Sequence, residues 1–103
     1  MLSDEQCDSG AGLLSVSDIS MMLEDVGGWE YEDSSLVKRY ECKGWEDAMH
    51  IVEEVSVVAQ DQNHHPDIEF GYGYVIVKLS SHDAGGVTRN DFIVAAKIDE
   101  TVQ

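Results

Sequence analysis

The chain has 103 residues, enough for one domain of ordinary size and too few for two separately cored ones. Its 21 acidic residues against 6 basic ones give a formal charge of −15, a field that repels nucleic-acid phosphates and anionic membrane surfaces. No run of about 18 apolar residues offers a membrane span, no basic stretch followed by an apolar block marks a secretory signal, and the expected location is the cytoplasm.

Met1 to Leu14 are small and acidic residues without a sustained period, which predicts a loosely ordered N-terminal arm ahead of a single domain over residues 15–103. Ser17 is placed to cap a short helix whose Ile19, Met22, Leu23 and Val26 form one apolar stripe, ended by Gly27-Gly28. Trp29 to Tyr31 and Leu36 to Cys42 read as strands joined by a turn over 32–35. In the second of them Leu36, Tyr40 and Cys42 share a face that Lys38 interrupts, which predicts a position near a sheet edge.

Trp45 to Gln62 carry the longest helical pattern, with Ala48, Ile51, Val52, Val55, Val58 and Ala59 on one side, Gly44 as N-cap, and Glu46 and Asp47 favouring the first turn. His50 lies off that stripe and reads as a surface residue. Pro66 closes the helix, because a proline disfavours helical backbone at His65. Ile68 to Tyr72 and Tyr74 to Leu79 alternate around Gly73 as a hairpin. After the Gly85-Gly86 loop, Thr88 to Asp91 match a capping box, and Phe92, Ala95 and Ala96 give the final helix an apolar face. Trp29, Trp45 and the tyrosines read as core packing. The order α-β-β-α-β-β-α predicts an α+β two-layer sandwich, a four-stranded antiparallel sheet with helices on one face.

Three of the 4 histidines, His64, His65 and His82, fall within nineteen residues of one another. Imidazole exchanges protons near neutral pH without a metal, so the cluster points to acid–base chemistry. A metal site is the rival, although the spacing has neither the His-x3-His of a helical zinc site nor a cysteine pair. Asp91 fits two roles at once, closing the capping box and holding a neighbouring imidazole. Cys7 and Cys42 allow at most one bridge and read as unpaired thiols. The dispersed acids and only four lysines are the surface expected of a protein from a salt-rich cytoplasm.

At Asn63-His64-His65-Pro66-Asp67-Ile68, followed by Leu79-Ser80-Ser81-His82-Asp83, Gly86-Val87-Thr88 and Asp91, the chain resembles the pterin-4a-carbinolamine dehydratases. Gly28-Trp29, Tyr40-Glu41-Cys42 and the long helix fit the same pattern, over about Ile19 to Asp99. The resemblance implies the same α+β sandwich and a lyase that removes water from a 4a-hydroxytetrahydropterin to give the quinonoid dihydropterin. It implies no metal and no bound coenzyme, since the pterin is the substrate, and assembly as a homodimer or homotetramer. It also implies a link to tetrahydropterin recycling and to an aromatic amino acid hydroxylase pathway.

By resemblance the catalytic set is His64, His65, His82 and Asp91, with His64 and His82 as the acid–base pair, His65 positioning substrate and Asp91 orienting a histidine. Asn63, Ser80, Ser81 and Asp83 join the histidines in binding substrate. Gln60 stands where many members have glutamate, and Ile68 where tryptophan is frequent. Animal members also serve as dimerisation cofactors of a transcription factor, which makes a non-catalytic interaction module the alternative function.

Overall fold

Two hairpins make the sheet. The computed structural model describes Met1–Gln103, and in it β1 (Glu30–Glu32) and β2 (Ser35–Glu41) are joined by Asp33 and Ser34. Both turn residues have positive φ, 46° and 62°, which a tight two-residue hairpin requires for its twist to match that of the strands. β3 (Asp67–Gly71) and β4 (Tyr74–Leu79) form the second hairpin. The hairpins join through β2 and β4, with Leu36 opposite Leu79 and Tyr40 opposite Val75. The result is one antiparallel sheet of order β1-β2-β4-β3.

Three helices, α1 (Val16–Met22), α2 (Trp45–Gln62) and α3 (Arg89–Thr101), complete the α+β architecture. The short α1 runs on into a 3-10 turn at Leu23–Asp25. Its cap is Ser15 and not Ser17: Ser15 has extended backbone and its hydroxyl accepts from the Asp18 amide, whereas Ser17 lies inside the helix. Helix α2 has the predicted bounds and ends at Asn63, whose left-handed backbone (φ 48°) lets the His64 amide donate back to the Ala59 carbonyl at 3.1 Å. No helix is long and apolar enough to cross a membrane.

The core lies between sheet and helices. Leu36, Val75, Val77 and Leu79 are fully buried and meet Ala48, Ile51, Val55 and Val58 of α2 and Phe92, Ala95 and Ile98 of α3. Helix α3 is buried well beyond the predicted face, with every residue from Asp91 to Ala96 buried. The reason is the N-terminal segment, read from sequence as a loose arm, which here lies along α3. Leu2 enters the core, Lys97 Nζ donates to the Ser3 carbonyl, Glu5 forms a two-bonded ion pair with Arg89, and Leu13 bridges to Thr88.

Lys38 lies near an edge, as its charge on the inner face predicts: β1 pairs with β2 only as far as Val37, so beyond it β2 has a neighbour on the β4 side alone. The ammonium is accommodated on the helix-facing side by Asp99 (2.8 Å) and the Gly27 carbonyl (2.8 Å), above the Tyr40 ring. One side-chain expectation fails. Trp29 is buried and donates its indole N–H to Asp99, but Trp45, Tyr72 and Tyr74 are exposed, and Trp45 lies against Phe70 with ring centroids 5.3 Å apart. Both sit at the rim, at the first turn of α2 and on edge strand β3, beyond the layer that covers the sheet centre.

Candidate active site

The end of α2, the loop after β4 and the start of α3 meet at one place. Asn63 turns the chain out of α2, and Pro66 commits it to β3, so the two intervening imidazoles leave the junction with fixed backbone. After β4, Ser81 and Gly86 pair across a tight loop in which Gly85 supplies the left-handed turn (φ 81°), and this presents His82 and Asp83 at its tip. Between these elements lies a cleft of about 700 Å³. His64, His65, His82, Asn63, Ser80, Ser81 and Asp83 all line it, so the expected substrate-binding residues converge.

Asp91 stands behind that wall, fully buried. Its Oδ2 accepts from the Thr88 amide at 2.8 Å, closing the capping box of α3, and from the Ser81 hydroxyl at 2.9 Å. Its Oδ1 lies 2.6 Å from His64 Nε2. A buried carboxylate held by two donors has a set direction, so it fixes the imidazole plane. His64 Nδ1 is then the ring nitrogen left for a ligand. Asp91 thus meets the cleft wall through His64 and Ser81 and does not itself line the cleft.

The other two histidines are held differently. His65 is exposed, with Nε2 2.6 Å from Gln60 Oε1, so the amide does reach the ring as an acceptor, without a carboxylate's charge. His82 is exposed and has no side-chain partner within the protein. His50, far along α2, pairs only with Glu54 on the surface. No group of three or more His, Cys, Asp or Glu side chains is arranged to hold a metal ion.

One wall of the cleft had not been read from the sequence. Cys7, Asp8, Ser9 and Ala11 of the N-terminal segment line it together with Gln62 and Asn90. Gln62 carried the available signal: it continues the stripe of Ile51, Val55 and Val58 by one more turn, where a buried polar group needs partners. It finds them in the Cys7 amide (2.9 Å) and the side chains of Gln6 and Asp61. Cys7 and Cys42 are both free thiols. Burial, with the Asp91 charge nearby, pushes the Cys7 thiol up to about 11, so it lines the cleft as a neutral group.

A family model described as Pterin 4 alpha carbinolamine dehydratase matches residues 12–101. This chain belongs to the pterin-4a-carbinolamine dehydratase family. Among similar proteins of the family, the "Putative pterin-4-alpha-carbinolamine dehydratase" of Aquifex aeolicus is 37% identical over 90 residues, covering 87% of this chain and 91% of that one. The protein of the same name from Thermomicrobium roseum is 38% identical over 82 residues, covering 80% and 88%. A crystal structure titled as a transcriptional coactivator/pterin dehydratase from Brucella melitensis superposes with a TM-score of 0.81 at 25% identity, covering 87% of this chain and 98% of that one. The dehydratase-family fold thus agrees with the α+β sandwich derived from the sequence pattern.

Proposed function

We propose that this protein dehydrates a 4a-hydroxytetrahydropterin to the quinonoid dihydropterin by histidine acid–base catalysis. Expelling the 4a-hydroxyl as water takes one proton at oxygen, and forming the C4a=N5 bond releases one from N5, so the reaction is proton-balanced with one donor and one acceptor. The observation that carries the reading is the His64–Asp91 contact at the wall of a cleft that also holds His65 and His82. With Nε2 on the carboxylate, His64 Nδ1 takes the N5 proton, and Asp91 stabilises the imidazolium that forms. His82, free of protein partners, delivers the proton to the departing hydroxyl. His65, braced by Gln60, positions the pterin.

The test is direct turnover of a 4a-hydroxytetrahydropterin by the wild type, His64→Ala and His82→Ala. Each variant is expected to lose about a hundredfold or more in kcat with its fold intact, the usual scale for a general acid or base. Undiminished turnover in both would overturn the roles. The coactivator in the Brucella neighbour's title favours a second reading, an interaction module on the same fold. Absence of both pterin binding and turnover, together with a stable complex with another protein, would select it.

A further inference from the structure

We propose that Asp8 is a substrate-specificity residue: its carboxylate accepts hydrogen bonds from the 2-amino and N3–H groups on the pyrimidine edge of the pterin. The inference rests on the dehydratase reading and adds a recognition group to it from outside the stretch that the family model matches, which begins at residue 12. A pterin presents those two N–H donors side by side, the arrangement that two carboxylate oxygens match. Asp8 and Asp83 are the two carboxylates lining the cleft. Asp83 sits at the exposed tip of the His82 loop, and its side chain has no hydrogen bond.

Asp8, by contrast, is held on three sides. The Asn90 side chain accepts from the Asp8 amide at 2.9 Å and donates to the Asp8 carbonyl at 2.7 Å. The Gly10 amide donates to Asp8 Oδ1 at 2.9 Å, which fixes the carboxylate and leaves Oδ2 and the second lone pair of Oδ1 open to a ligand. Just before it, the Cys7 amide is bound by Gln62 and Glu5 is paired with Arg89, so the segment is tied to the ends of both long helices. An acceptor fixed before the ligand arrives loses little freedom on binding, which is where preorganisation adds affinity.

The experiment measures turnover of a 4a-hydroxytetrahydropterin, and binding of 7,8-dihydropterin and of 7,8-dihydrolumazine, whose 2-oxo group replaces the 2-amino donor. Wild type, Asp8→Asn and Asp8→Ala are compared; the site is exposed, so both variants are expected to fold. In the wild type, dihydropterin should bind about tenfold or more tighter than dihydrolumazine, the scale of one charge-assisted hydrogen bond. In both variants that preference should collapse and KM should rise about tenfold, with kcat little changed. Wild-type turnover with unaltered KM and preference in the variants would overturn the role of Asp8 alone. A wild type that neither binds nor turns over pterin would overturn the dehydratase reading beneath it.

Discussion

One carboxylate joins a helix terminus to the chemistry: Asp91 Oδ1 lies 2.6 Å from His64 Nε2 while its Oδ2 accepts from the Thr88 amide at 2.8 Å. Removing it affects stability and activity together. Asp91→Ala should cost about 2–4 kcal/mol, since it strips the cap and leaves the buried Thr88 amide without an acceptor. Asp91→Asn, nearly isosteric, should fold better yet lose at least about tenfold in kcat, because an amide does not stabilise the His64 cation. Urea unfolding and turnover on the same preparations separate the two effects.

The Lys38–Asp99 pair predicts an asymmetry between its partners. Asp99 also accepts from the Gly27 amide and the Trp29 indole, whereas Lys38 donates a second hydrogen bond only to the Gly27 carbonyl and otherwise lies over the Tyr40 ring. Asp99→Ala should therefore cost about 3 kcal/mol, leaving a largely buried ammonium and an indole N–H unpaired, and Lys38→Met about 1 kcal/mol or less. Equal losses in chemical denaturation would contradict this account.

Docking of the N-terminal segment should weaken in acid. Arg89 holds the Glu5 carboxyl below its ordinary value of 4.5. A depressed carboxylate contributes stability above its unfolded pKa and loses it as pH falls through the folded one. The thermal midpoints of wild type and Glu5→Gln should thus differ at about pH 7 and converge toward about pH 3. Concentrated salt should also shrink the difference, since the pair is solvent-exposed.

Cys7 should be a slow nucleophile although it borders the cleft. With its thiol raised to about 11, it is protonated at neutral pH, and iodoacetamide should label it far more slowly than a free cysteine. A raised thiol contributes stability that is present below the unfolded pKa and lost as pH rises, so alkaline solutions should accelerate both labelling and unfolding. Mass spectrometry of Cys7-labelled peptides across pH checks the rate.

Much of the site was legible because its parts are local. The capping box from Thr88 to Asp91 spans one helical turn, and the break at Asn63 to Pro66 follows from the backbone preferences of those residues. The partner of Lys38 was hidden for the opposite reason. Alternation along β2 showed a charge on the inner face, but its partner Asp99 lies 61 residues away on α3. No pattern within a strand reveals such a partner.

The same division holds for the whole protein. Periodicity, capping and turn residues determined the elements, the α+β order and the cluster of three histidines, since each depends on backbone sterics and hydrophobic spacing over a few positions. Only the tertiary structure decided that Asp91 meets His64 across 27 residues and that the first residues wall the cleft instead of hanging free. Those outcomes depend on buried polar groups finding partners. The amides of Gln62 and Asn90 do so with Cys7 and Asp8, segments that chain folding alone brings within reach.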